Sequence, residues 1–399
     1  MKKALLVTRV SGFVPQFEMN NVKILQEFGY EVHYAADYNT IVYGNDNSRL
    51  DGTGIVRHQI DFVRSPFSKE VKVSIQQLEK LMLEEKFDLI HCHMPMSGVV
   101  ARKAAWNVYK KTGRKVPVLY TAHGFHFYSG APLKNWVYYP IERFFSRYTD
   151  RLILINEEDY NRAKKFPVRG SVERIMGVGM NLGKFEGYEK QSYQVASEEL
   201  YDGETDIRKK YGIGKESIVL ITVGEFAPDK NHMVMIEAMR ELKDLDIVYI
   251  ICGEGRMEEE LRNKVKEYSL EKNVIFAGYI KEVYKVLRQT DCFVFPSRRE
   301  GMPVAVMEAM SVGLPVIASG IRGINELIDH TKGGYLVDGF EPVDYAVKIR
   351  RIFTEKDGKS AVPREKRRRE MGEWNRERIK QFALPIVDKK MREIYKSLE

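Results

Sequence analysis

Short apolar runs alternate with amphipathic stretches along both halves of the chain. In the first half the runs predict strands at Ala4–Thr8, Val32–Asp37, Phe87–Cys92, Val118–Ala122, Leu152–Asn156 and Arg174–Val178. In the second half they predict strands at Ile218–Val223, Ile247–Cys252, Val274–Gly278, Cys292–Pro296, Pro315–Ala318 and Tyr335–Val337. Helical patterns lie between most of these runs, which is typical of parallel sheets. The sequence therefore predicts an α/β protein with two Rossmann-like units in tandem.

A polar stretch without sustained periodicity, Phe185–Glu204, predicts an exposed linker between the units. Near the C-terminus, apolar residues recur at helical spacing, which predicts a last helix with an apolar stripe: Ile386, Met391, Ile394 and Tyr395. We expect an N-terminal domain over 1–182, a second domain over 183–375 that begins with a linker at 183–204, and a C-terminal helix over 376–399.

Composition supports a folded protein. Of 399 residues, 44% are hydrophobic and 11% aromatic, which excludes disorder for most of the chain. The three cysteines form neither a disulfide framework nor a paired zinc pattern, so a reducing cytoplasm is expected. The apolar run at Ala4–Val7 is too short for a signal peptide, and no later run reaches the length of a membrane span.

The formal net charge of +8 lies wholly in residues 1–182, which hold 26 Lys+Arg against 18 Asp+Glu. The remaining residues hold 38 of each sign. Such a domain suits an anionic partner, namely an acidic membrane, nucleic acid or a phosphorylated substrate. An ordinary solvated surface explains the excess equally well.

The motif SRREGMPVAVMEAMSVGLPVIAS, residues 297–319, lies between two predicted strands. Pro303 suits the first turn of a helix, where its missing N–H costs nothing. Free amides from Gly301 to Val304 can then face an anion, which predicts a phosphate-binding site. Glu300 stands in the loop, and Glu308 in the helix can accept two hydrogen bonds from a sugar diol.

These two glutamates, separated by seven intervening residues after a strand, resemble the EX7E signature of family-four retaining glycosyltransferases, which have the GT-B fold. The segments YTAHGFHFYSGAPLKNW, TDRLILINEEDY and VGEFAPDKNH look like the subgroup encoded in bacterial exopolysaccharide and capsule clusters. The resemblance implies two Rossmann-like domains that face each other across a cleft. The first would bind the acceptor and the second the nucleotide-sugar, and the C-terminal helix would return to the first domain.

The resemblance also implies roles for individual residues. Glu308 would bind the ribose hydroxyls, and Glu300 the transferred sugar near its C3 and C4 hydroxyls. Three backbone amides would contact the sugar and the diphosphate, namely those of Gly301, Met302 and Val304. The resemblance implies neither a metal nor a cofactor.

Lys230, in VGEFAPDKNH, would neutralise the leaving diphosphate. Many relatives have an arginine where this chain has Glu225. Because a carboxylate cannot bind phosphate, Glu225 would instead orient Lys230 or touch another hydroxyl. Arg9 or Arg256 would supply the second cation.

Two backbone positions complete the expected donor site. In TRVSGF, Gly12 permits a tight turn, and the resemblance places this loop beside the diphosphate, although an ordinary turn glycine explains it too. The absence of GxGxxG disfavours NAD binding. The backbone at Ile280 would pair with a pyrimidine base, and a plain strand end is the alternative.

The histidines predict no metal site. On a strand, His91 and His93 share a face and Cys92 points away, so the three cannot ligate one ion. His123 ends a predicted strand, where α/β sheets place ligands, and the resemblance assigns it to the sugar and acceptor end. His126 would instead be a packed or exposed histidine without a role in the site.

The segment LKNWVYYPIERFFSRY, residues 133–148, interleaves aromatic and cationic residues. It suits a membrane interface, although aromatics at helical spacing also form cores.

The resemblance, together with the basic first domain, implies a retaining, metal-independent transferase that moves a hexose or N-acetylhexosamine from a UDP-sugar to a lipid-linked exopolysaccharide or capsule glycan. It would be cytoplasmic and peripheral at the inner face of the cell membrane. A sugar-nucleotide epimerase of similar shape is the alternative enzyme. A basic nucleic-acid-binding protein is disfavoured, since no recognition motif accompanies the charge.

Overall fold

The computed structural model describes residues 1–40, 42, 47–186, 206–354 and 364–398. It divides into two compact units, Met1–Gly179 with Leu384–Glu399, and Met180–Ala383. Most of the predicted linker, residues 187–204, lies outside the described residues. The assignment of acceptor and donor to the two domains stays a prediction.

The first unit contains a parallel sheet whose strand order is β3-β2-β1-β4-β5-β6-β7. Its strands are β1 (Lys2–Val10), β2 (Tyr30–Asp37), β3 (Val56–Gln59), β4 (Leu89–His93), β5 (Val118–Ala122), β6 (Arg151–Leu154) and β7 (Ser171–Arg174).

The second unit contains a parallel sheet in the order β10-β9-β8-β11-β12-β13. Its strands are β8 (Ile218–Val223), β9 (Ile247–Cys252), β10 (Val274–Gly278), β11 (Cys292–Phe295), β12 (Val316–Ser319) and β13 (Gly334–Val337). In each sheet the order reverses beside a central strand, β1 or β8, and ligands bind at the carboxyl ends of such strands.

Helices connect the strands as the parallel topology requires. They are α1 (Phe13–Phe17), α2 (Met19–Glu27), α3 (Val71–Glu85), α4 (Pro95–Thr112), α5 (Tyr138–Phe145), α6 (Glu157–Ala163), α7 (Ile207–Tyr211), α8 (His232–Arg240), α9 (Glu258–Glu267), α10 (Val283–Leu287), α11 (Val304–Ser311), α12 (Ile324–Leu327), α13 (Pro342–Phe353), α14 (Arg364–Ile379) and α15 (Leu384–Lys396). The α/β class with two Rossmann-like sheets is confirmed.

Helix α15 returns to the first unit, as predicted. Met391, Ile394 and Tyr395 are buried, and the Tyr395 hydroxyl lies 2.8 Å from His91 Nδ1. The prediction was wrong for Ile386, which is 48% exposed, because the buried face instead includes Val387. Tertiary contact with the sheet therefore fixes which side of this helix is inside.

The sequence prediction failed at two edges of the first sheet. It missed β3, whose residues are largely exposed, so that no apolar alternation marks them. It placed the last strand at Arg174–Val178, whereas β7 ends at Arg174 and is only half-buried. Edge strands bury little surface, and their patterns are correspondingly weak.

The aromatic segment 133–148 divides between core and surface. Trp136, Tyr138 and Tyr139 pack against the core of the first unit. Leu133 is 89% exposed and Phe144 is 45% exposed. Neither of the two interpretations therefore describes the whole segment.

Candidate functional site

Polar side chains gather at the carboxyl ends of the strands in each unit. The second unit builds its cluster from two loops, one after β8 and one after β11, which are neighbours in the sheet. The Asp229 carbonyl accepts hydrogen bonds from Ser297 Oγ at 3.0 Å and from the Arg298 amide at 2.7 Å. Asn231 Nδ2 also donates to the Pro296 carbonyl at 3.3 Å. These bonds hold the Lys230 loop against the Glu300 loop.

Lys230 and Glu300 form the central ion pair of this cluster, with 2.5 Å between Nζ and Oε1. Burial alone would lower the pKa of Lys230, but the Glu300 carboxylate outweighs burial and the net pKa is raised. Lys230 thus stays charged. Arg322 is buried beside the pair and donates from Nε to the Glu300 carbonyl at 2.9 Å.

Gly323, whose φ is +77°, packs closely against the loop Glu300–Pro303. A Cβ there would lie 2.0 Å from the Gly301 carbonyl oxygen, so only glycine fits. Pro303 directly precedes α11 and has an extended backbone, and Val304 begins the helix. The structure thus places Gly301, Met302 and Pro303 immediately before an eight-residue helix that begins at Val304. Amides in the first turn of a helix lack helical partners.

Glu308 lies one turn into α11. Burial raises its pKa to about 7, although Lys184 lowers it slightly. Among the described residues, its carboxylate forms neither a hydrogen bond nor an ion pair. This acceptor group therefore remains available to a ligand.

The structure does not support Glu225 as a partner of Lys230. The Glu225 side chain is exposed, and Glu300, Asp229 and Arg299 are the charges that act on Lys230. The Glu225 carbonyl accepts hydrogen bonds from the Ala227 amide at 2.8 Å and from His232 Nε2 at 3.1 Å if that nitrogen carries the proton. Within the second unit, Arg322 adjoins the pair, whereas Arg256 is exposed and Arg9 belongs to the first unit.

The structure gives less information about the two predicted backbone contacts, at Ile280 and Gly12. Ile280 follows β10 after a single intervening residue and is half-buried. Gly12 is buried in the first unit before α1, with a φ of −70°, which any residue can adopt. The turn at Gly12 therefore does not demand glycine.

The first unit has its own polar cluster, at the ends of β4 and β5. It joins His93, His123 and Glu18, which lies between α1 and α2. His93 Nδ1 lies 3.2 Å from His123 Nε2, and Glu18 Oε1 lies 3.5 Å and 3.4 Å from those two nitrogens. Asn21 Nδ2 donates to the other Glu18 oxygen at 2.5 Å. His123 is the most accessible member, with its side chain 18% exposed.

Burial dominates the electrostatics of this cluster. It raises the pKa of Glu18 to about 8, lowers that of His123 to about 4 and holds that of His93 well below its ordinary value. Neutral forms are therefore favoured. Phe13 packs edge-on against His123, with ring centroids 4.9 Å apart.

The other two residues of the HCH run are satisfied within the fold. His91 bonds to Tyr395 and to Thr121 Oγ1, the latter at 2.8 Å, and the Cys92 thiol donates to the Leu119 carbonyl. Met94 directly follows His93 and has a φ of +65°, which is uncommon for a residue other than glycine. Such strain occurs at functional sites.

Sequence reasoning missed Glu18 and Arg322. No motif surrounds either residue, and Glu18 reaches His93 across 75 positions of chain. The only available signal was their placement after predicted strands.

Two family models match different parts of this chain. Residues 203–378 match the family described as "Glycosyl transferases group 1", and residues 19–175 match "Glycosyl transferase 4-like domain". A Bacillus subtilis (strain 168) protein that carries the name glycosyltransferase EpsD is 33% identical over 356 residues, 88% of this chain and 87% of its own. An Escherichia coli protein named UDP-Gal:alpha-D-GlcNAc-diphosphoundecaprenol alpha-1,3-galactosyltransferase is 32% identical, covering 68% of this chain and 67% of its own.

Solved structures show the same fold at low identity. Anabaena Alr3699/HepE, in complex with UDP and glucose, has a TM-score of 0.76 and 16% identity, with full coverage of both chains. Sucrose-phosphate synthase from Thermosynechococcus elongatus has a TM-score of 0.74 and 18% identity, covering 100% of this chain and 99% of its own.

Proposed function

This chain belongs to the group 1 glycosyltransferases of exopolysaccharide type, and we propose that it is a retaining, metal-independent enzyme. Its donor is a UDP-linked hexose or N-acetylhexosamine, and its acceptor is a lipid-linked glycan. The name of the Escherichia coli relative includes both a UDP-sugar and a diphosphate-linked lipid, which supports this choice of substrates.

The Lys230–Glu300 pair is the observation that carries the proposal. A half-buried lysine that stays charged can neutralise the negative charge that develops on a departing diphosphate. Before the donor binds, Glu300 is the ion-pair partner of Lys230. The diphosphate then replaces Glu300 as that partner, and the Glu300 carboxylate accepts hydrogen bonds from the sugar hydroxyls.

The helix α11 supplies the remaining donor contacts. Amides of Gly301, Met302 and Val304 face the diphosphate and sugar, and Glu308 accepts hydrogen bonds from the ribose. The backbone at Ile280 pairs with the base. The exposed Glu225 carboxylate can accept a hydrogen bond from a hydroxyl but would repel a phosphate.

Retention constrains the bond changes. The bond between the sugar C1 and the phosphate oxygen breaks, and its electron pair leaves with the diphosphate. The acceptor oxygen bonds to C1 on the same face, so the departing phosphate oxygen can take the acceptor proton. His123 binds the sugar and acceptor end, and the loop of Gly12 contacts the donor diphosphate.

We assign the acceptor to a membrane-bound lipid carrier and the enzyme to the inner membrane surface. Charge and exposure support this: the net charge of 1–182 is positive, and Leu133 and Phe144 project from it. Three cations of this domain contribute less to the support than the net charge implies, because Lys111, Arg114 and Lys115 pair with acidic side chains. Among the described residues, no helix combines the length and apolar run that a bilayer crossing needs.

The direct test supplies a panel of nucleotide-sugars with a diphosphate-lipid-linked acceptor and follows the anomeric configuration of the product by NMR. We expect one donor to be used with retention, at a rate that EDTA does not lower. Inversion, or a rate lost to EDTA and restored by Mn²⁺ or Mg²⁺, would overturn the mechanism. Conversion of the UDP-sugar without any acceptor would indicate an epimerase.

A further inference from the structure

The first unit holds a group of ligating atoms that the proposed transfer does not explain. Glu18 Oε1, His93 Nδ1 and His123 Nε2 form a nearly equilateral triangle with sides of 3.2, 3.4 and 3.5 Å. Each residue offers one atom of the kind that metals bind. We propose that this triangle binds one zinc ion through two imidazoles and one carboxylate.

The separations distinguish a metal site from a hydrogen-bonded network. Hydrogen bonds between nitrogen and oxygen extend to roughly 3.2 Å, so the two contacts of Glu18 are too long for good ones. Zinc bonds of about 2.0 to 2.1 Å in a tetrahedron separate two ligands by about 3.3 to 3.4 Å. An octahedral face with bonds of about 2.1 Å would separate them by about 3.0 Å. The triangle therefore matches a tetrahedral ion.

The surroundings also fit a cation. Glu18 is only 3% exposed, and the described residues provide it with no lysine or arginine partner. A buried carboxylate needs a compensating positive charge or a proton. Asn21 holds Oε2 and leaves Oε1 for the ion, as outer-shell partners of metal ligands do.

The triangle offers three protein ligands, all from buried or half-buried side chains. Three protein ligands leave a fourth position open, which is the arrangement of zinc sites that bind water or a substrate oxygen. The 18% exposure of the His123 side chain places that opening on its side of the cluster.

One consequence rests on the proposed function: bound zinc occupies His123 and therefore slows transfer. The binding itself is measured without a donor or an acceptor. Failure to bind zinc would thus leave the transferase proposal intact, and an inactive transferase would leave the zinc site intact.

The test uses the full chain, stripped of metal with a chelator. Zinc binding is measured by calorimetry, and Co²⁺ is added as a spectroscopic probe of tetrahedral geometry. We expect one site, with intense visible absorption for Co²⁺. Glu18→Gln, His93→Gln and His123→Gln should each weaken zinc binding at least about 100-fold.

His126→Gln is the matched control, since His126 is equally half-buried, lies three residues from His123 and is not part of the triangle. It should bind zinc as the wild type does. Wild type that binds no zinc, or triangle variants that bind normally, would overturn the proposal. If the variants do not fold, X-ray absorption at the zinc edge of the wild type decides: nitrogen and oxygen ligands support the site, and sulfur ligands refute it.

Discussion

The two units place titratable side chains at equivalent ends of their sheets but treat charge in opposite ways. In the second unit, Lys230 stays ionised because Glu300 lies 2.5 Å away. In the first unit, burial favours neutral His93, His123 and Glu18. A charged cluster suits a diphosphate, and an uncharged one suits hydroxyl groups. The difference supports the division into donor and acceptor domains.

The largest effect is expected from removing the lysine of the charged cluster. Lys230→Met should lower kcat/KM by about 10²- to 10³-fold, because the leaving diphosphate loses its preorganised charge. Arg299→Met is the control, since Arg299 is a neighbouring, more exposed cation paired with Asp229. Steady-state kinetics with the identified donor measure both variants. Comparable losses in the two would mean that general positive charge, and not Lys230, is required.

The other half of the ion pair should separate sugar binding from nucleotide binding. Glu300→Gln should lower kcat/KM roughly 10²-fold, because two charge-assisted bonds to the sugar weaken. Binding of UDP alone should stay equal or tighten, because Lys230 no longer has a competing carboxylate. Calorimetry and kinetics together test this, with Glu225→Gln as the matched control. Weaker UDP binding by Glu300→Gln would contradict the exchange of partners.

Glu308 should make donor binding depend on pH. Its pKa of about 7 means that the ionised form, which accepts the ribose bonds, is lost as the pH falls below about 7. Donor affinity should therefore decline toward lower pH, by up to about tenfold per pH unit. Glu308→Gln should bind the donor more weakly at pH 8, by about 1.5 to 3 kcal/mol, and show a flatter profile. An unchanged profile would refute the ribose assignment.

The uncharged cluster should affect the acceptor more than the donor. His123→Gln should lower kcat/KM for the acceptor about tenfold, which corresponds to one lost hydrogen bond, and leave UDP affinity unchanged. His126→Gln should keep the wild-type values. If His123→Gln weakens UDP binding instead, the contrast between the two units fails.

The smallest effect is expected at the membrane surface. Replacing exposed Leu133 and Phe144 together with serine should weaken binding of the full chain to anionic vesicles severalfold, at low and at high salt. The matched control replaces Val343 and Val347, which are 53% and 48% exposed on the second unit. Equal vesicle binding by wild type and both variants would remove the support that these side chains give to a membrane-bound acceptor.

The sequence determined the elements whose signal is local. Buried central strands such as β1, β8 and β11 appear as continuous apolar runs, and the loop from Glu300 to α11 is a contiguous motif. Both could be read without a structure because the residues that define them are neighbours in the chain. The exposed strand β3 could not, since burial on one side barely marks it.

Tertiary structure decided which side chains meet. Lys230 and Glu300 are 70 positions apart, and Glu18 is separated from both His93 and His123 by strands and helices. Parallel strands bring their carboxyl ends to one edge, but the partner at that edge depends on strand order and loop path. The sequence offered Glu225 as a partner of Lys230 because it lies closer in the chain than Glu300, but in the structure the partner is Glu300. The pairing of charges is a property of the folded sheet, because Coulomb attraction acts through space and not along the chain.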